Sequence, residues 1–251
     1  MNSQNDYIAV FDSGVGGISV LRHLRRELPN ERFFYFGDSA NAPYGTRSTA
    51  EIRDLTLAAA EMLMEKGVKA LVIACNTATA AAIKDLREKY PETIVIGLEP
   101  ALKTAAEHYP RGTVGVMATP ATLREQKFAR LMEQFESQCT VIKLPAVGLV
   151  ELVESGRADS AETEALLAPL LTPWAGQLDA LVLGCTHYPF AAATIGKLLP
   201  GTQLFDGGIG TARHTRHLLE QAGLLRQGAG EIVIETSDPH TAALCRRLLE
   251  G

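Results

Sequence analysis

The sequence lacks any long hydrophobic run, any excess of basic residues and any dense cysteine pattern. Its longest apolar stretches, such as Ala70–Ala74, are far too short to span a bilayer. With 24 Lys and Arg against 29 Asp and Glu, the net charge of −5 provides no electrostatic footprint for nucleic acid or an anionic membrane. The cysteines Cys75, Cys139, Cys185 and Cys245 contain no CxxC pair, and the polar start of the chain does not have a signal-peptide pattern. We therefore expect reduced thiols in a cytoplasmic protein that binds neither nucleic acid nor membrane.

Short β-branched runs alternate with longer amphipathic stretches along the whole chain of 251 residues. This alternation predicts an α/β fold, with parallel sheets covered by helices on both faces. Strands are predicted at Tyr7–Phe11, Arg32–Phe36, Ala70–Ala74, Thr93–Ile96, Thr113–Met117, Thr140–Leu144, Leu181–Leu183, Gln203–Phe205 and Ile232–Glu235. Helices are predicted at Ile18–Leu28, Thr49–Lys66, Ala78–Lys89, Ala101–His108, Pro120–Glu136, Ser160–Ala175, Phe190–Leu199, Thr211–Ala222 and His240–Leu249.

An internal repeat relates Ala70–Thr77 to Ala180–His187, and each copy contains an apolar run that leads into a cysteine and polar residues. The repeat predicts two pseudo-symmetric parallel-sheet α/β domains with the active site in the cleft between them. The first domain is expected to comprise residues 1–97 plus 207–251, and the second residues 98–206.

Polar residues are expected to collect just beyond the carboxyl ends of the strands, where open parallel sheets place their functional groups. Each cysteine of the repeat is predicted to be the last residue of its strand, beside the start of the next helix. Helix-terminal amides and the helix dipole there favour a thiolate. The plain alternative is a small buried hydrophobic residue, which is what most such cysteines are. The candidate segments are Asp12–Gly14, Pro43–Gly45, Cys75–Thr77 and Cys185–His187.

Two thiols that face each other across a cleft suit a racemase. Such an enzyme removes a proton from one face of the α-carbon and delivers another to the opposite face, so Cys75 and Cys185 can exchange the roles of acid and base. The α-proton is very weakly acidic, so the site must also stabilise the carbanion and exclude water. Cys139 and Cys245 lie outside the repeat and are assigned to packing.

The neighbouring residues provide groups that match an amino acid. Asn76–Thr77 and Thr186, with nearby backbone amides, are candidates for binding a substrate carboxylate. The Asp12–Ser13 turn can accept from the substrate ammonium and donate through its serine hydroxyl, although it is also a plausible helix cap. His187 can tune the Cys185 thiol or relay its proton, with a purely structural histidine as the alternative.

Two other kinds of site are set aside. Gly14–Gly17 follows a strand but is not GxGxxG, and Asp38 alone is too weak a signal for a nucleotide site. The spacing within Cys185–His187 is too short for comfortable chelation, so no metal is expected. His214 and His217 are predicted to lie on a solvated helix face.

Four motifs resemble those of bacterial glutamate racemase, within the wider aspartate, glutamate and hydantoin racemase group. They cover nearly the whole chain in the right order and spacing, and the Cys-Thr-His-Tyr-Pro run is the most specific to glutamate racemase. The motifs are Asp12–Gly17, Asn41–Gly45, Cys75–Ala78 and Gly184–Pro189.

The resemblance implies interconversion of L- and D-glutamate without a cofactor, which supplies D-glutamate for peptidoglycan. By similarity, Cys75 would act on the D-enantiomer and Cys185 on the L-enantiomer, with Asp12 and His187 assisting the nearer cysteine. Glu154 fits the place of the family's assisting glutamate on the second domain. The residues implied to hold substrate are Asp12, Ser13, Tyr44, Gly45, Asn76, Thr77, Thr186 and His187.

Other functions remain open at this point. An aspartate or hydantoin racemase of the same group is one, and a decarboxylase that uses one cysteine is another, although the presence of both cysteines argues against it. A two-domain protein that binds an acidic amino acid without chemistry is the alternative from another class. A homodimer is an assembly that the sequence leaves open.

Overall fold

The computed structural model describes residues 3–98, 101–124, 126–135 and 137–251, in which strands and helices alternate. The strands are β1 (Tyr7–Asp12), β2 (Arg32–Gly37), β3 (Val68–Ile73), β4 (Ile94–Gly97), β5 (Thr113–Ala118), β6 (Thr140–Pro145), β7 (Ala180–Leu183), β8 (Gln203–Phe205) and β9 (Glu231–Thr236). The helices are α1 (Ile18–Glu27), α2 (Thr49–Met64), α3 (Asn76–Lys89), α4 (Ala101–His108), α5 (Pro120–Arg124), α6 (Gln126–Phe135), α7 (Leu149–Glu154), α8 (Ala161–Leu171), α9 (Ala192–Leu198), α10 (Gly208–Gln221) and α11 (Ala242–Glu250).

The chain divides into two compact units, one of Met1–Glu99 with Gly208–Gly251 and the other of Pro100–Gly207. The first unit contains a parallel five-stranded sheet in the order β4-β3-β1-β2-β9. Asp12 is paired with Gly37 across β1 and β2, so both strands end at the same edge of the sheet. This edge positions the candidate residues of the first unit.

The second unit contains a parallel four-stranded sheet in the order β6-β5-β7-β8. Met117 of β5 is paired with Leu183 of β7, so the residues that follow these two strands also leave one edge together. The arrangement of central strands repeats that of the first unit, where β1 lies between β2 and β3.

The central strands are covered on both faces, as expected for parallel sheets. Every residue of β3 is buried, and Ile8–Phe11 of β1 have no exposed surface. Helix α1 buries Ile18, Leu21 and Leu24, because residues three apart lie on one helical face. None of the described helices is long and apolar enough to cross a membrane.

The predicted α/β fold with two parallel sheets is confirmed, and all nine predicted strands are present with ends within two residues of those expected. The described residues of the helix predicted at Pro120–Glu136 are all helical, in α5 and α6, and residues 125 and 136 lie outside the described part of the chain. The sequence did not predict α7. This helix has only six residues and follows Gly148, whose φ of 88° is a left-handed conformation that glycine adopts without strain.

Candidate active site

The first group of candidate residues lies at the carboxyl edge of the first sheet. Phe11 is paired with Ile73, so β1, which ends at Asp12, lies beside the end of β3 and the segment that leads to Cys75. The prediction that Cys75 is the last residue of its strand is wrong, because β3 ends at Ile73 and Ala74 intervenes. Ala74 still donates its N–H to the carbonyl of Phe11, at 2.7 Å, which keeps the extension of β3 beside β1.

Cys75 caps the N-terminus of α3, as expected for a residue next to a helix start. Its sulfur accepts a hydrogen bond from the N–H of Ala78 at 3.4 Å and lies 3.5 Å from the hydroxyl oxygen of Ser13. The side chain is buried. Helix-terminal amides and a hydroxyl donor both stabilise negative charge on sulfur, so the position suits a thiolate that gains and loses a proton.

Asp12, the last residue of β1, is completely buried. Its carboxylate accepts the N–H of Gly14 at 2.9 Å, while α1 is capped by Gly17 without a side-chain hydrogen bond. The alternative that Asp12–Ser13 caps α1 is therefore wrong. Gly17 is required at its position, because a Cβ atom there would lie 2.5 Å from Cβ of Asp12.

Tyr44 and Gly45 lie in a short 3-10 turn, Tyr44–Thr46, that follows β2. The Tyr44 hydroxyl donates to Oδ2 of Asp38 at 2.7 Å, and the Tyr44 ring packs against Phe11 with centroids 6.4 Å apart. Burial, followed by the hydrogen bond to Asp38 and the charges of Asp38, Cys75 and Asp12, raises the pKa of Tyr44 well above its ordinary value. Tyr44 is therefore a neutral phenol within electrostatic reach of both site residues.

Asp38 is the residue of this group that sequence reasoning missed as a member of the site. It was considered only as a weak nucleotide signal, yet it is buried and contacts Tyr44 directly. The available signal was its position, since Asp38 follows β2 as Ser13 follows β1 at the same edge of the sheet. The remaining candidates of this unit, Asn76 and Thr77, form the first two positions of α3 beside Cys75, and Thr77 is buried.

The second group lies at the corresponding edge of the second sheet. The prediction that Cys185 is the last residue of its strand is wrong, because β7 ends at Leu183 and Cys185 follows it by two residues. Gly184 donates its N–H to the carbonyl of Met117 at 2.7 Å. The expected helix start beside Cys185 is also wrong, because a 3-10 turn at Tyr188–Ala191 precedes α9. Cys185 therefore lacks the helix N-terminus that supports Cys75.

A histidine and a glutamate take the place of that helix at Cys185. Nδ1 of His187 lies 3.6 Å from the Cys185 sulfur, and Nε2 of the same ring lies 2.5 Å from Oε1 of Glu154, on α7. Burial of His187 would lower its pKa, but the contacts with Cys185 and Glu154 outweigh it and raise the pKa well above 6.5. An imidazolium in this position donates to sulfur on one side and to carboxylate on the other.

Thr186, which lies between Cys185 and His187 in the sequence, is buried. The segment that contains it is followed by Tyr188, which is anchored by a hydrogen bond. The Tyr188 hydroxyl donates to the carbonyl of Ala146 at 3.1 Å. Burial, followed by the charges of Cys185 and Glu151, raises the pKa of Tyr188 well above its usual range, so its hydroxyl stays a donor.

Comparison with known proteins identifies the family of the chain. The model of the Asp/Glu/Hydantoin racemase family matches residues 14–215. Glutamate racemase from Clostridium acetobutylicum is 45% identical over 255 residues, which covers 100% of both chains. The chain belongs to the glutamate racemase family.

Two solved glutamate racemases share its three-dimensional structure. The enzyme from Thermus thermophilus, in complex with beta-chloro-D-alanine, is 38% identical with a TM-score of 0.84, and the match covers 100% of this chain and 95% of that one. The enzyme from Francisella tularensis, in complex with D-glutamate, is 31% identical with a TM-score of 0.85, and the match covers 99% and 95%.

The racemase family model spans Tyr44, Cys75, Glu154, Cys185 and His187, whereas Asp12 and Ser13 precede its first matched residue. The expectation for these two residues therefore stays a prediction from the sequence motif.

Two cysteines and two histidines were not assigned to the site by the sequence. Cys139 and Cys245 are buried, and burial raises the pKa of the Cys139 thiol. His214 and His217 lie on α10. Within the described part of the chain, no group of three or more His, Cys, Asp or Glu residues is arranged to hold a metal ion.

Proposed function

We propose that the chain interconverts L- and D-glutamate by a two-base proton transfer between Cys75 and Cys185. The observation that carries the proposal is that each cysteine has its own means of stabilising a thiolate. Cys75 has the start of α3 and the Ser13 hydroxyl, and Cys185 has His187 backed by Glu154. Two independently supported thiols are what a reaction on both faces of one carbon requires.

In the L-to-D direction, the Cys185 thiolate removes the α-proton of L-glutamate and the Cys75 thiol donates its proton to the opposite face. The roles reverse for D-glutamate, so each turnover leaves the two cysteines in exchanged protonation states. The His187 imidazolium stabilises the Cys185 thiolate, and Glu154 holds the imidazole ring in place. Asp12, beside Ser13, plays the assisting role for Cys75.

We propose that polar groups near each of the two thiols hold the substrate. The α-carbanion is a high-energy intermediate, so donors to the α-carboxylate that strengthen as charge develops contribute most to the rate. The residues proposed to hold glutamate are Asp12, Ser13, Tyr44, Gly45, Asn76, Thr77, Thr186 and His187.

We also propose a setting for this activity. The product D-glutamate would enter peptidoglycan, as the family resemblance implies, and the reaction would take place in the cytoplasm without a cofactor. The four cysteines form no CxxC pair and no dense framework, which supports a reducing compartment. Light scattering during size-exclusion chromatography would show whether the chain forms the homodimer that its sequence leaves open.

Heavy water separates the candidate functions. Incubation of the protein with L-glutamate in D₂O, with no cofactor added, should label the α-carbon and abolish optical rotation. A binding protein would do neither, a decarboxylase would release CO₂, and a racemase of another substrate would prefer aspartate or a hydantoin.

Single substitutions test the two thiols. Cys75→Ser and Cys185→Ser should each lower kcat by at least about a hundredfold, because each removes one of the acid-base groups. Cys139→Ser and Cys245→Ser are matched controls that should retain the rate in the folded fraction. Undiminished racemisation in either active-site variant would rule out the two-thiol mechanism.

A further inference from the structure

Asp38 is a buried carboxylate whose described side-chain partners include two neutral donors. Oδ2 of Asp38 accepts from the Tyr44 hydroxyl at 2.7 Å, and both carboxylate oxygens accept from Nδ2 of Asn41, at 3.0 and 3.1 Å. The backbone N–H of Asp38 also donates to the carbonyl of Asp12 at 2.9 Å. The carboxylate is thereby fixed between the edge of the sheet and the turn that carries Tyr44.

This turn is also held from outside by the chain segment that follows β9. The N–H of Ala40 donates to the Ser237 hydroxyl at 2.9 Å, and the Thr241 hydroxyl donates to that of Ser39 at 3.2 Å. The orientation of Asp38 towards Tyr44 is therefore built into the first unit.

The contact with Asp38 determines what the Tyr44 oxygen can do. A phenol has one proton, and here that proton is committed to Asp38, so the remaining lone pairs of the oxygen can only accept. The raised pKa of Tyr44 means that the phenol keeps this proton throughout the working range.

Glutamate offers one group that donates to such an oxygen. Its two carboxylates only accept, whereas its α-ammonium group only donates. We propose that Asp38 is a positioning residue that holds the Tyr44 proton and so presents the Tyr44 oxygen to the substrate ammonium group. Because this role takes glutamate as the ligand, it rests on the proposed function.

A double-mutant cycle tests whether Asp38 acts through Tyr44. Asn at position 38 can donate to the Tyr44 oxygen and turn the tyrosine proton towards the ligand, and Tyr44→Phe removes the oxygen. Each single variant should raise the Kd for glutamate about tenfold, as for the loss of one hydrogen bond to a charged group. The double variant Asp38→Asn/Tyr44→Phe should bind no more weakly than Tyr44→Phe alone, and multiplied losses would overturn the proposal.

Glutarate, which has both carboxylates but no ammonium group, separates positioning from a general structural effect. Asp38→Asn should leave the Kd for glutarate unchanged while it weakens glutamate binding, and an equal loss for both would contradict the role. Calorimetry measures these affinities whether or not the wild-type protein racemises glutamate. Failure of the proposed function would be seen separately, as an absence of racemisation by the wild-type protein in D₂O.

Discussion

At the scale of single residues, the two thiols are supported by different chemistry. Cys75 uses a backbone N–H, which donates to its sulfur at any pH, and the Ser13 hydroxyl, which can donate to the sulfur when it is a thiolate. Cys185 uses His187, whose donor capacity depends on its own proton. Glu154 therefore affects Cys185 indirectly, because it stabilises the protonated form of the His187 ring that contacts the sulfur.

Glu154→Gln should lower the pKa of His187, because the variant removes the carboxylate that stabilises the imidazolium. In the wild type the ring should remain protonated above pH 6.5, and in the variant it should lose its proton at lower pH than in the wild type. NMR titration of labelled histidine measures both midpoints. Glu151→Gln, on the same helix, is the matched control, and an unchanged His187 midpoint in Glu154→Gln would contradict this assignment.

At the scale of elements, α3 shows how structural and chemical roles coincide in one residue. Its N-terminus is capped by the Cys75 sulfur, which is both a hydrogen-bond acceptor for Ala78 and the proposed base. Serine is among the preferred N-cap residues, whereas alanine provides no acceptor. Function and stability can therefore be separated at this one position.

Cys75→Ala should have a free energy of unfolding about 1 kcal/mol lower than that of Cys75→Ser, because only serine restores the cap. Both variants should be inactive in racemisation, since neither supplies a thiolate. Urea denaturation followed by circular dichroism gives the comparison. Equal stability of the two variants would show that the Ala78 hydrogen bond contributes little to α3.

At the scale of the whole molecule, the first unit is assembled from both ends of the chain, and a buried lysine of the N-terminal segment also contacts the C-terminal segment. Nζ of Lys69, at the start of β3, lies 2.6 Å from Oε2 of Glu31 and donates to the carbonyls of Gln4 and Leu224, each at 2.8 Å. Leu224 belongs to the segment that returns after α10. Burial lowers the pKa of Lys69, and the contact with Glu31 offsets part of this effect.

Lys69→Met should lower the free energy of unfolding by about 3 kcal/mol, because it leaves the buried Glu31 carboxylate without its cation. Activity per folded molecule should be preserved, since Lys69 lies at the opposite end of β3 from Cys75. Lys84→Met is the control, because the Lys84 side chain is 87% exposed. A loss no larger than that of the control would show that the pair adds little to the fold.

The sequence was sufficient to predict the sheets, because buried parallel strands appear as apolar β-branched runs, and to find both cysteines through the repeat. It did not reveal the short helix α7, whose six residues give too little periodicity to detect. The contact of Asp38 with Tyr44 was hidden because it depends on the path of the intervening turn. The domain bounds 1–97 plus 207–251 and 98–206 remain predictions, as do the roles of the site residues.

The fate of the α-hydrogen at low conversion tests the transfer between two thiols most directly. Wild-type protein would be given L-glutamate in D₂O, and both enantiomers would be recovered early and analysed by mass spectrometry. Opposed acid and base predict deuterium in the D-glutamate formed, with the remaining L-glutamate still carrying its original hydrogen. Early labelling of the recovered L-glutamate at the rate of product formation, or D-glutamate that keeps the original hydrogen, would contradict proton delivery by a second, separate group.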